Sequence, residues 1–402
     1  MGNLLAYRRS YFLGSVFLIA LLVRCAFALA APHTLAPDSL SWLAPARDLA
    51  GGLGFTSTLR HPGYITFLAS VFAVAGSDNL TAVRLVQSLL GSVQVLLLFF
   101  LALNIFKKEA VACLSALFLA FYPYAVFQTS EILSESFNSF LLVLFFFFLY
   151  SVLEQRRKVV FSALAGAVFS ATILTKSTVI VIAPFLFAFF YFNRLRYRVF
   201  AVFLAAAAAV ILPWTLHNYK TYGKFVLVNL SGSAIFQHNN PQTLETERQT
   251  RELKEVKWET PECLEIGKLP PLEADKVYRQ RAWQFMRANP GTVLTYMKMR
   301  FKHFWSLYPI THSRIQRLAA LLTSGVYIPL ALLGLFLSAA YWKKTFLIWA
   351  TIFSYNAIHL VFTATLRYRI PLDPFFMIFA AFTLVKILEL YEARGAGPRG
   401  GL

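Results

Sequence analysis

Long apolar runs alternate with polar segments along this chain, and most of the charge sits in the polar segments. A helix needs about 20 apolar residues to cross the ~30 Å hydrocarbon core of a bilayer. On that measure the pattern predicts ten transmembrane helices, at roughly 11–31, 81–106, 110–128, 134–153, 159–175, 178–192, 199–213, 318–340, 346–364 and 370–390. Residues 61–80, HPGYITFLASVFAVAGSDNL, hold only about 14 fairly apolar positions, too few to span. That stretch is read as a re-entrant or interfacial helix. Residues 214–316 carry 15 Lys/Arg and 9 Asp/Glu and read as a small, mostly helical, solvent-exposed insertion whose charges form a solvated face. The chain divides into a transmembrane half (1–213, with a first loop at 32–80), the large loop (214–316) and C-terminal membrane helices (317–402), with no internal repeat.

Composition agrees with this pattern. Hydrophobic residues are 58% of the 402 and charged residues 14%, against roughly 25% charged in soluble chains. The fold class is therefore all-α, a polytopic integral membrane protein. The net charge of +19 would suggest a nucleic-acid partner in a soluble domain. Here it follows from the retention of Lys and Arg in cytoplasmic loops. With the N-terminus inside, Arg8, Arg9, Lys107, Lys108, Arg156, Arg157, Lys158, Arg194, Arg196, Arg198, Lys343, Lys344, Arg394 and Arg399 all fall on the cytoplasmic side, and both termini lie there. The beginning of the chain also has features of a secretory signal, with AFALAAP offering an A-x-A cleavage site, but Arg24 interrupts its apolar run. Cys25, Cys113 and Cys263 are scattered and provide neither a disulfide framework nor metal-ligand spacing.

Acidic residues are few enough for each to be weighed. Outside the large loop there are ten, of which Glu109, Glu154, Glu389 and Glu392 fall at cytoplasmic ends. Asp38 lies a few residues beyond the first span, in PDSLSW, where it makes a good helix N-cap. Glu131 and Glu135, in TSEILSE, are four residues apart and so share a helix face. Glu135 falls just inside the membrane, where an ionisable group is a functional candidate by default. Arg60, Lys176, Arg367 and Arg369 lie on the outer side, away from the cytoplasmic loops that collect basic residues. An anionic ligand accounts for them, phosphate above all, since Arg offers a two-pronged fork and Lys a point charge. Snorkelling toward lipid headgroups competes with that reading, most evenly at Lys176. There is no GxxxxGK[ST] loop, no GxGxxG turn and no D-x-D pair. The seven His fall in or near outer segments without ligand spacing, so hydrogen-bonding or interfacial roles are preferred for them over a metal, which stays open, and no cofactor is called for.

The ordered set APDSLSWLAPARDLAGGLGF, RHPGYITFLA, AFYPYAVFQTSEILSES, ILTKSTVIVIAP, ILPWTLHNY, SGSAIFQHNNP and RYRIPLDPF resembles the GT-C membrane glycosyltransferases. The resemblance is to the dolichyl-phosphate-mannose–protein mannosyltransferase group, which includes the bacterial aminoarabinose transferases, and it runs over most of the chain. It implies transfer of a sugar from a polyprenyl-phosphate donor to a lipid, glycan or protein acceptor at the outer face of the cell membrane, with inversion. Asp38 would be the general base. Arg60, Lys176, Arg367 and Arg369 would hold the donor phosphate, Glu131 would orient acceptor or sugar, and Tyr64 and Asn239 would wall the cavity. Many relatives carry Asp-Glu in the first loop, whereas Asp38 here is followed by Ser39. Two other activities remain open: a flippase for lipid-linked saccharides, and a ligase or polymerase of the O-antigen kind that uses a diphosphate-linked donor.

Overall fold

The computed structural model describes residues 2–30, 35–36, 38–57, 60–227, 231–250, 258–307, 314–364 and 366–395. Among them all regular structure is helical. The first half holds α1 (Gly2–Ala30), α2 (Leu40–Ala50), α3 (Pro62–Ala75), α4 (Leu80–Phe106), α5 (Glu109–Ala120), α6 (Pro123–Ser130), α7 (Ser134–Glu154) and α8 (Lys158–Thr175). A 3₁₀ turn at Ser177–Ile182 leads into α9 (Ala183–Phe192) and α10 (Tyr197–Tyr222). A polar unit follows, made of α11 (Ser231–Phe236), α12 (Pro241–Thr250), α13 (Pro261–Gly267), α14 (Pro271–Ala288) and α15 (Pro290–Phe304). The chain then returns to apolar helices: α16 (Arg314–Leu337), α17 (Trp342–Val361), the short α18 (Leu366–Arg369) and α19 (Asp373–Gly395).

Every expected span is helical, but the helices are not all continuous. Among the described residues seven are long and apolar enough to cross a membrane, or eight if α5 and α6 count as one broken span. The expected span at 110–128 bends by 50° between α5 and α6. Pro123 explains the break: it starts a new helix at its first turn and cannot continue the old one. The broken turn leaves carbonyls without helical partners, and buried Arg24 of α1 takes them up. Its guanidinium donates to Leu119 O at 3.0 Å and Ala120 O at 3.2 Å. The Ser177–Phe192 stretch is shorter than a span, and α17 is not among the seven, carrying Ser354, Asn356 and His359 along its length. The expected interfacial helix at 61–80 is α3, whose 14 residues extend about 21 Å at ~1.5 Å each.

A large apolar core joins α4, α5, α7, α8 and α19, with Phe375, Phe376, Phe379 and Phe382 of α19 at its centre. A separate cluster under α2 and α3 contains Trp42, Leu43, Tyr64, Ile65, Leu68 and Phe72. α8 meets α10 on small residues four apart: Ser162 donates to Val199 O at 2.6 Å and Ser170 to Ala207 O at 2.8 Å. Between them a Cβ on Gly166 would lie 2.1 Å from Phe203 O. Such a small-residue stripe is how helices approach closely in lipid, where apolar side chains gain nothing by leaving it.

Charges gather at two ends. Arg9 pairs with Glu109 (2.7 Å), Lys107 and Lys344 with Glu154 (2.5 and 3.1 Å), and Lys108 with Glu389 (2.5 Å). Glu154 closes α7, while Glu135 begins it and belongs to the other charge cluster. The two lie about 28 Å apart at ~1.5 Å per residue, close to the ~30 Å of a bilayer core. The polar unit α11–α15 has its own small core of Ile235, Phe236, Cys263, Ile266, Tyr278 and Ala282. Arg300 fastens it to the end of α17, donating to Leu360 O and Val361 O at 2.8 and 2.9 Å.

Candidate active site

Three chain segments converge at the Glu135 end of α7. The first precedes α2. Asp38 lies two residues before that helix, but its carboxylate does not cap it: the N-cap is Ser39, in helical conformation and with no side-chain bond. The capping role expected for Asp38 is therefore replaced by ion pairing. Arg60 Nη2 donates to Asp38 Oδ1 at 3.0 Å and Arg367 Nη1 to Asp38 Oδ2 at 2.9 Å. Ser39 is buried with its hydroxyl unpartnered, so the residue that follows Asp38 points into the protein.

The second segment is the turn before α3. Arg60 Nε donates to Ser41 Oγ at 2.8 Å, and the guanidinium lies over Trp42, 4.8 Å from its ring centre. The turn is locked against the α8 end: Ser177 N donates to His61 Nε2 at 3.2 Å. Gly63 permits this contact, since a Cβ there would fall 2.4 Å from Thr175 Oγ1 and 2.8 Å from Thr175 N. Lys176 follows Thr175 directly, so the same close packing sets Arg60 beside Lys176.

The third segment is the start of α18. Arg367 Nε donates to Glu135 Oε1 at 2.7 Å, and Lys176 Nζ reaches that same oxygen at 3.4 Å. Tyr368 lies under Lys176, with the ammonium 4.4 Å from its ring centre. Asp38, Arg60, Arg367, Glu135 and Lys176 thus form one continuous ion-paired chain. Glu135 is 1% exposed at the side chain, whereas Asp38 is 42% exposed.

Burial pushes the Asp38 carboxyl up, but Arg367 and Arg60 outweigh it and hold it below the usual aspartate range. Glu131, half-buried near Arg84 and Arg367, is raised by burial against the pull of those cations. Burial, with Lys176 and Arg60 nearby, pushes His61 down to about 4, so it is neutral at pH 7.

The remaining expected site residues lie elsewhere or one layer back. Arg369 is 0% exposed, paired with Asp373 at 3.2 Å and donating to Phe304 O and Ser306 O. On a helix, residues two apart do not share a face, so when Arg367 enters the cluster Arg369 turns into the core. Tyr64, also 0% exposed, donates to Gln87 Oε1 at 2.8 Å, and Gln87 holds the carbonyls of Thr129 and Glu131. Tyr64 is thus a brace behind the site. The Asn239 amide holds Ile235 O and Val361 O and accepts from Arg300, within the fastening of the polar unit. Glu135, the hub of the cluster, stood outside the expected ligand set, although its place in an apolar run singled it out. Ser41, Trp42, His61 and Tyr368 carried no signal beyond being neighbours of the charged residues. Among the described residues no three His, Cys, Asp or Glu side chains converge as a metal site.

With this geometry in place, the comparisons with known proteins become informative. Residues 60–217 match the family model for dolichyl-phosphate-mannose-protein mannosyltransferase. The match contains Arg60, Glu131, Glu135 and Lys176, and it falls short of half the chain. The archaeal oligosaccharyltransferase AglB from Archaeoglobus fulgidus, solved with an inhibitory peptide and a dolichol-phosphate, superposes with TM-score 0.59 at 14% identity, over 98% of this chain and 53% of that one. Its apo form gives 0.60 at 14% identity, over 99% and 53%. The chain has a GT-C-like membrane fold. It spans about half the length of that oligosaccharyltransferase. ArnT from Cupriavidus metallidurans, bound to undecaprenyl phosphate, gives TM-score 0.44 at 13% identity, over 92% of this chain and 77% of that one. No curated protein matches the sequence. The ion-paired cluster brings Arg60, Lys176 and Arg367 together with the buried Glu135 and the partly exposed Asp38 carboxylate.

Proposed function

We propose that the chain is an integral-membrane glycosyltransferase that moves a sugar from a polyprenyl-phosphate carrier to a lipid, glycan or protein acceptor. The reaction takes place at the outer face of the cell membrane, with both termini in the cytoplasm. The observation that carries this reading is the cluster itself, in which Asp38 lies within hydrogen-bond reach of Arg60 and Arg367, with Lys176 joined to Arg367 through Glu135. The matched mannosyltransferase segment supports it, as does a fold shared with an oligosaccharyltransferase solved with dolichol-phosphate.

In this reading Arg60, Lys176 and Arg367 hold the donor phosphate. Asp38 accepts the proton of the acceptor hydroxyl. The acceptor oxygen attacks the anomeric carbon from the face opposite the phosphate, the bond from that carbon to the phosphate oxygen breaks, and the anomeric configuration inverts. Polyprenyl phosphate leaves with the bonding electrons, its charge held by the cations. Preorganised cations stabilise charge where it develops, and Glu131 orients sugar or acceptor. Acceptor recognition falls in this reading to the loop 214–316, which contains α11–α15.

The test is transfer by purified protein in lipid, with a labelled monophosphate-linked donor set against a diphosphate-linked one. Asp38→Asn should lower turnover by roughly 10²–10⁴-fold, the usual worth of a general base, with the thermal unfolding midpoint unchanged. Wild-type turnover in that variant would end this assignment, and preference for the diphosphate donor would move the enzyme to the ligase or polymerase class.

A further inference from the structure

The ion-paired cluster poses a conflict. The same two guanidinium groups that the donor phosphate needs are closed on the carboxylate that should act as base. We propose that Asp38 is held in reserve by this pairing and that an incoming phosphate displaces it from Arg60 and Arg367, so that the base is released only once the donor is bound. This rests on the reading of the cluster as a donor-phosphate site.

The two carboxylates of the cluster are unlike in the way this exchange requires. Glu135 is 1% exposed and holds both Arg367 Nε and Lys176 Nζ through one oxygen. It is a positioning residue: it fixes two cations and cannot readily be replaced by a ligand arriving from outside. Asp38 is 42% exposed, lies outside the helices, and meets only the outer nitrogens, Nη2 of Arg60 and Nη1 of Arg367. A phosphate entering from the open side meets those nitrogens first. Arg60 stays in place through Ser41 and Trp42 when Asp38 lets go.

Charge favours the exchange as well. Among the described residues the charged groups at the site are Arg60, Arg84, Lys176 and Arg367 against Asp38, Glu131 and Glu135, with His61 neutral. That leaves one positive charge in excess, which matches the single negative charge of a sugar phosphodiester. Once the phosphate shares the guanidinium groups, Asp38 loses the partners that keep it a weak base. Donor-first binding follows: an acceptor arriving early meets a carboxylate that is already engaged.

The experiment uses the full chain in phosphatidylcholine nanodiscs. A water-soluble carbodiimide with glycine ethyl ester reports accessible, protonatable carboxyls, and peptide mass spectrometry counts them. Undecaprenyl phosphate should raise the Asp38 labelling rate by about tenfold at fixed pH, the effect of one pKa unit, while Glu135 and the exposed Glu273 are unchanged. Arg60→Gln should raise Asp38 labelling without ligand and shrink the gain on adding it. If undecaprenyl phosphate binds, as native mass spectrometry reports, and Asp38 labelling stays flat or falls, the displacement is wrong and the phosphate site stands. If undecaprenyl phosphate does not bind at all, both fail. An equal response to the same concentration of inorganic phosphate would overturn the lipid-linked source of the ligand.

Discussion

Arg367 and Arg369 stand two positions apart on one short helix and face opposite environments. Arg367 joins Asp38 to Glu135 at the open side, whereas Arg369 neutralises fully buried Asp373. Their conservative variants should therefore fail differently. Arg367→Gln should lower transfer severely while the protein still purifies folded. Arg369→Gln should leave Asp373 with Tyr122 but without its counter-ion and cost about 3–5 kcal/mol, the usual penalty for breaking a buried ion pair, seen as a large drop in unfolding temperature in detergent. Equal stability of the two variants would contradict the burial difference. Asp38 adds a pH signature. Its carboxyl is held below the usual range in the free protein, so its ion pairs persist from neutral pH downward and are lost only as pH falls through that depressed value. The acid limb of kcat/KM reports the free enzyme and that of kcat the bound complex. The kcat limb should therefore lie at higher pH, and coincident limbs would mean that the carboxylate keeps its partners throughout.

Among the elements, the broken span α5–α6 shows what the sequence made legible and what it did not. Apolar run length reveals that residues 110–128 are helical, because a segment in lipid must satisfy its own backbone. It does not reveal where a break is tolerated, since that depends on a partner from another helix. Pro123 was the local signal, and Arg24, nearly a hundred residues earlier, supplies the missing donors. The same distinction holds in the site. Asp38, Arg60, Lys176 and Arg367 could be singled out because a charge near apolar surroundings is conspicuous in any order of elements. The burial of Tyr64 against Gln87, the use of Asn239 by Arg300 and the inward turn of Arg369 depend on which neighbour each helix meets. Arg24→Leu should thus leave buried carbonyls unsatisfied and destabilise the fold by roughly 1–3 kcal/mol, although Arg24 touches no part of the site. Gly166→Leu should force α8 from α10 and cost roughly 3 kcal/mol, the upper end for overpacking. Thermal unfolding of both variants beside wild type checks these effects.

For the whole molecule, the arrangement of ends decides which side of the membrane the candidate site faces. The paired Lys and Arg around Glu109, Glu154 and Glu389 gather at one end, and the candidate site gathers at the other, one α7 length away. Segments rich in Lys and Arg stay on the cytoplasmic side during insertion, so the site and the polar unit α11–α15 should face outward. Single cysteines test this directly, because exposed Lys158 lies at the basic end and exposed Lys276 on α14, while native Cys263 is buried. Lys276→Cys should react with a membrane-impermeant maleimide in intact spheroplasts. Lys158→Cys should react only after permeabilisation. The opposite pattern would put Asp38 and its cations in the cytoplasm. The sugar would then have to be supplied there, and the outer-face reaction would fall even with the cluster chemistry intact.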